Sequence, residues 1–140
     1  MIDEKDRQII DILLESGREP ASSISEKLGI SVPTVIDRIK KMQESGVITS
    51  FKSVIDYQKI GLHVSALITV ISESSGNYSD IVEKSKKSSA VVGCYAITGA
   101  GSHVLIVNTE STDTLEKVLR NIQSWPGVKR TETQIILSSN

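Results

Sequence analysis

The chain has 140 residues, room for one ordinary domain or two very small ones, with 24% charged and 39% apolar residues, the balance of a soluble globule. Lys and Arg number 16 against 17 Asp and Glu, a net charge of −1, so bulk charge does not mark a nucleic-acid binder and any such role rests on local placement. Aromatic residues make up only 4%, which argues against a base-stacking single-strand platform. No apolar run approaches the ~20 residues that cross a bilayer, and the acidic start "MIDEKDRQII" is unlike a secretory signal. The expected compartment is the cytoplasm, with no membrane partner. The one cysteine, Cys94, excludes an intramolecular disulfide and a paired zinc site and reads as a small core residue, so neither metal nor cofactor is expected.

The first half reads as three helices. In "IDEKDRQIIDILLES", Asp3 can cap the amino terminus while Ile9, Ile10, Leu13 and Leu14 share one side, and Gly17 follows as a stop. In "PASSISEKL", Pro20 suits the opening turn and Ala21, Ile24 and Leu28 recur at i, i+3 and i+7. Gly29 stops that helix, Ile30 plugs the corner, and Ser31 starts the third helix, "SVPTVIDRIKKMQES". Together these make a helix-turn-helix.

After Gly46 the pattern "VITSFKSVID" reads as a β-wing with Val47, Phe51 and Ile55 turned inward and Lys52 and Ser53 wet. The domain boundary is placed near Gly61, giving residues 1–60 and 61–140. The second half alternates: "VSALITVIS" as a strand, "YSDIVEKSKK" as a helix, "AVVGCYAIT" and "HVLIVNT" as strands about a "GAGS" turn, "TDTLEKVLRNIQ" as a helix, the stop "WPGV", and a last strand "RTETQIIL". The order β-α-β-β-α-β is the ferredoxin-like arrangement, so the fold class is α+β. Two helices cover one sheet face, and a bare face with alternating apolar residues invites a second subunit.

On the third helix, Val32, Val35, Ile36, Ile39 and Met42 fall on one side at about 100° per residue and are assigned to the core. A recognition helix needs a helix packed across its start, small polar residues in its first turn and positive side chains toward phosphates. Ser31, Pro33 and Thr34 supply the first turn; Arg38, Lys40, Lys41 and Lys52 supply the charge, against Asp37 and Glu44. Ser31 reads more as a cap than as a base reader. Arg38 is placed toward the groove, the alternative being an ion pair with Glu44 or Asp37.

These residues also carry a resemblance. "IDEKDRQIIDILLESGREPASSISEKLGIS" and "VIDRIKKMQESGVITSFKSVID" resemble the DNA-binding domain of the Lrp/AsnC feast/famine regulators, and "GCYAITGAGSHVLIV" with "LRNIQSWPGVKRTETQIIL" resemble their ligand-binding and assembly (RAM-type) domain. The resemblance implies a winged-helix binder of double-stranded DNA, a homodimer or an assembly of dimers into tetramers or octamers. It also implies a small-molecule effector held by the turn Thr98, Gly99, Ala100, Gly101, Ser102 and His103 between dimers. The usual pattern there is similar to Gly-x-x-Asp-Tyr, whereas this chain has Ser102 and His103 at the last two places. The lost carboxylate removes the partner of an α-ammonium and puts an amino-acid effector in doubt.

Read without the resemblance, the turn is a hairpin in which Gly99 and Gly101 permit positive φ. His103, if exposed, could titrate between roughly pH 5 and 8 and donate to an anion; a strand-edge histidine without a task is the other reading. Thr131 and Thr133 share a face of the last strand and either line the same pocket or are simply β-formers. Two further functions compete with the regulator: a sequence-tolerant architectural DNA binder, and an enzyme similar to the sirohaem decarboxylases. The second is disfavoured because only His63 and His103 are available and no insertion encloses a macrocycle.

Overall fold

The structure is a computed structural model describing residues 1–140. Its contacts divide the chain into two units, Met1–Ile55 and Asp56–Asn140. The division falls ahead of the expected Gly61 because the 3-10 turn Tyr57–Ile60 is tied to the residues on its carboxyl side: Leu62 donates to the Tyr57 carbonyl at 2.9 Å, and the Gln58 amide bonds both the His63 carbonyl and its ring.

The first unit has α1 (Glu4–Glu15), α2 (Ala21–Leu28) and α3 (Val32–Glu44). Each start has a local cause. Asp3 and Asp6 form a reciprocal capping box on α1, and the Ser31 hydroxyl accepts from the Thr34 amide on α3. Between α2 and α3, Gly29 adopts φ 66°, the left-handed stop that a side chain would resist, and the Ser25 hydroxyl bonds the Ile30 carbonyl to fix the corner. The Lys5 ammonium closes the end of α2 by donating to the Leu28 carbonyl at 3.0 Å. Ile9, Ile24, Val35 and Met42 form the core, with Ile30, Ile39 and Ile48 packed against it.

Three expectations fail in this unit. Leu14 lies in solvent, and so do Val32 and Ile36, which the helical period had assigned to the core. The inward side of the segment after Gly46 is the third: residues 47–55 pair with no strand of this chain, and Val47, Phe51 and Ile55 are exposed. No Gly, Pro or Asn occurs between Val47 and Ile60, so nothing reverses the chain to supply a second strand. Ile48 alone turns in, its amide donating to the Met42 carbonyl at 3.0 Å.

The second unit has β1 (Val64–Ser72), α4 (Tyr78–Lys87), β2 (Val91–Ala96), β3 (His103–Thr109), α5 (Thr112–Gln123) and β4 (Val128–Ile135), as the alternation predicts. The sheet order is β2-β3-β1-β4, and every pairing is antiparallel. Ala66, Ile68 and Val70 of β1 and Leu105 and Val107 of β3 meet Ile81 of α4, Leu115 and Ile122 of α5, and Trp125 in one cluster. Cys94 packs against that cluster as a core side chain. Both helices therefore cover the same face. By alternation Leu67, Val104, Ile106 and Tyr95 project from the other, with Tyr95 largely exposed.

Candidate functional site

Stepping 100° per residue from the buried Val35, Ile39 and Met42 stay inward, while Pro33, Asp37, Lys40 and Glu44 run down the opposite side of α3 with Ile36 and Lys41 beside them. Ser31 is spent on the cap, and its hydroxyl also meets that of Thr34 at 2.7 Å. Lys41 pairs with Asp37 at 3.0 Å and Lys40 with Glu44 at 4.0 Å, both pairs exposed and on neighbouring turns. Such pairs are weak and exchange readily for phosphate oxygens, so the two ammonium groups remain available to DNA. Lys52 is exposed on the extended segment.

Arg38 corrects the reading of a groove-facing arginine. Its Nη1 donates to Asp3 Oδ1 and Oδ2 at 2.9 and 2.7 Å and to Asp6 Oδ1 at 3.1 Å, so it ties the middle of α3 to the capped start of α1. It faces neither Glu44 nor Asp37, the partners that sequence proximity suggests. The hydrogen bond to Asp3 raises the Arg38 pKa, and the same bond holds the Asp3 carboxyl below its ordinary value. The Arg38 Nε is enclosed without a partner, so only one arm of the guanidinium makes the tie. Asp3 was expected as a cap, but neither it nor Asp6 was expected as the partner of Arg38.

The second candidate site is the β2–β3 turn. Thr98, Gly99 and Ala100 are exposed, while Gly101, Ser102 and His103 are buried. Gly99 has the expected positive φ, 103°, but Gly101 does not; it is glycine because a Cβ would overlap the Thr69 methyl and stand 3.1 Å from the Val70 carbonyl oxygen. The Ser102 amide donates to that carbonyl at 2.9 Å, and its hydroxyl lies 2.6 Å from Ser72 Oγ and 2.8 Å from His103 Nδ1. His103 sits on β3 between two strands, not on an edge, with its ring against the edge of Tyr78 at a centroid distance of 5.0 Å. Burial lowers its pKa, which overturns the exposed, anion-donating histidine. Thr131 and Thr133 lie on β4, with β1 standing between them and β3, and the Thr131 hydroxyl accepts from Gln123 at 3.0 Å. Within one chain they do not join the turn.

A capped helix-turn-helix with lysines on its outward face, followed by a one-sided βαββαβ sheet, is the architecture of a DNA-binding transcriptional regulator with a separate ligand-binding unit. Known proteins agree. Residues 2–49 match the family model for winged helix-turn-helix DNA-binding domains, and residues 64–140 match that for the Lrp/AsnC ligand binding domain. The chain is 34% identical over 139 residues to the HTH-type transcriptional regulator FL11 of Pyrococcus horikoshii, covering 99% of this chain and 91% of that one. It is 32% identical over 139 residues to the regulatory protein AsnC of Haemophilus influenzae, covering 99% and 93%. Among solved structures, Escherichia coli AsnC superposes with a TM-score of 0.85 at 30% identity, covering 99% and 94% of the two chains. A feast or famine regulatory protein from Mycobacterium tuberculosis complexed with L-methionine superposes at 0.91 with 27% identity and the same coverage. The chain belongs to the Lrp/AsnC family.

Because folding holds the His103 pKa below its ordinary 6.5, the unfolded chain takes up a proton there before the folded one does. Stability from this group is complete above pH 6.5 and declines as pH falls toward the folded pKa. Thermal unfolding followed from about pH 7.5 to about pH 5.5 should show a falling midpoint, with the slope reduced in His103→Leu; equal slopes in the two proteins would contradict the buried neutral imidazole.

Proposed function

We propose that this regulator works in the cytoplasm as a homodimer, or as a tetramer or octamer of such dimers, and sets α3 of each copy in the major groove of double-stranded DNA. In this reading Thr34, Lys40, Lys41 and Lys52 approach the DNA, Ser31 and Pro33 shape the first turn, and Arg38 holds the helix in place from behind. The observation that carries it is the outward face of α3, where two exposed lysines stand beside a capped, small-residue first turn. Regulation, not catalysis, is the role: the relatives are named regulators, His63 is occupied with Gln58, and His103 is enclosed. Lys40→Ala and Lys41→Ala should each weaken binding to a duplex chosen by selection from random sequence and reduce the salt slope by about one, with folding intact. Unchanged affinity and slope in both variants would remove α3 from the groove.

The copy-to-copy contact is assigned to the bare sheet face. Leu67, Val104 and Ile106 offer a strip of apolar surface there, and Tyr95 lies over the space left by Gly93, where a Cβ would meet its ring at 3.2 Å. Ile106→Lys should shift the full-length protein to a smaller species in sedimentation at micromolar concentration, and an unchanged mass excludes this face.

For the effector, the β2–β3 turn presents exposed backbone at Thr98–Ala100 but no carboxylate, and the Ser102 hydroxyl is already engaged by Ser72 and His103. The reading is a small-molecule effector other than a simple α-amino acid, although a relative from M. tuberculosis is complexed with L-methionine. Calorimetry should find no heat of saturable binding for leucine or methionine up to millimolar concentration. Micromolar binding of either would show that the ammonium is held elsewhere.

A further inference from the structure

The aliphatic side chains that α3 spends on its core are Val35, Ile39 and Met42. Ile36 is not among them. It is 55% exposed, on the outward side between Pro33 and Lys40, and Val32, one turn earlier, is 36% exposed beside it. Neither core packing nor helix formation accounts for a branched aliphatic here, since Ile is a poorer helix former than Ala and this one fills no cavity. Its charged neighbour one turn on is Lys40, at i+4, while Asp37 and Lys41 lie further round the helix. A short apolar strip therefore borders Lys40, whose ammonium suits a phosphate.

We propose that Ile36 is a specificity-determining residue that packs on the C5 methyl of a thymine in the major groove, with Val32 flanking it. The proposal rests on the reading of α3 as the recognition helix and adds what it recognises. The major-groove edges of the bases present hydrogen-bond donors and acceptors throughout, with one apolar group among them, the thymine methyl. An aliphatic side chain carried into the groove by lysines on its own helix has that methyl as its one complementary partner. At cytosine, which lacks the methyl, Ile36 would shield an amino donor and gain nothing. The helix thus favours thymine at one place in each half-site without a hydrogen bond to that base.

The test replaces thymine with deoxyuridine, one position at a time, in a duplex obtained by selection, since the exchange removes only the methyl. At one thymine in each half-site, uridine should weaken the unmodified full-length protein by roughly fourfold, the effect of burying one methyl-sized group. Ile36→Ala should bind the thymine duplex more weakly by at least that factor and show no further loss on the uridine duplex, and Ile36→Val should lie between. Equal sensitivity of Ile36→Ala and the unmodified protein at every thymine overturns the proposal. So does unchanged affinity in Ile36→Ala, or a smaller oligomer for that variant in sedimentation, which would give the strip to a second copy of the chain. Lys40→Ala and Lys41→Ala in the same assay separate the two levels: weakened binding there without methyl coupling at Ile36 ends this proposal alone, whereas full affinity in both lysine variants ends the recognition-helix reading and this proposal with it.

Discussion

The Arg38 guanidinium, held by Asp3 and Asp6, is the interaction on which the DNA-binding unit depends. The buried core of that unit is four side chains, one or two from each helix, and a core so small fixes helix axes loosely. The tie adds a point of contact outside the apolar centre. It joins the middle of α3 to the first turn of α1, where Asp3 and Asp6 are already fixed by capping each other's amides. Two carboxylates at a helix amino terminus suit the positive end of the helix dipole, and the arginine completes the balance of charge. This sets the rotation of α3 about its own axis: with Arg38, Val35 and Met42 facing the other helices, Pro33, Asp37 and Lys40 face away from them.

The second unit depends on a different constraint, the one-sidedness of its sheet. Both helices cover one face, so residues of a strand alternate between a packed interior and a surface with no cover from the same chain. That alternation also governs the β2–β3 turn. Ser102 ends the turn in contact with Ser72 and Val70 of β1, His103 turns to the helix side against Tyr78, and Gly101 permits the approach by having no side chain. An acid in place of Ser102 would put a charge where this chain holds two hydroxyls and an imidazole in one hydrogen-bonded row.

Much of this was legible in the sequence because it is local. Caps, stops and periods are encoded within a few residues, and Asp3, Gly29, Ser31, β1 and β3 stand where those signals put them, while β4 starts at Val128, inside the expected stop. What failed depends on contacts between elements. The helical period groups Val32 and Ile36 with Val35 because a stripe of more than about 100° still counts as one side, and only the position of α1 and α2 decides which part of the stripe is covered. Arg38 was matched with the nearest acids along the chain, while its partners are more than thirty residues away in sequence. The inward side chains after Gly46 were inferred from alternation, but residues 47–55 pair with no strand within their unit, so alternation there does not decide burial.

The central claim is that α3 meets DNA with its Lys40 and Lys41 side while Arg38 stays bound to Asp3 and Asp6. Nitrogen-detected NMR of the arginine and lysine side chains, recorded on the free protein and on its complex with a selected duplex, tests it most directly. The account predicts Arg38 guanidinium resonances that keep their shifts and slow exchange on complex formation, with Lys40 and Lys41 ammonium resonances displaced. Displacement of the Arg38 resonances with both lysines unmoved would contradict it.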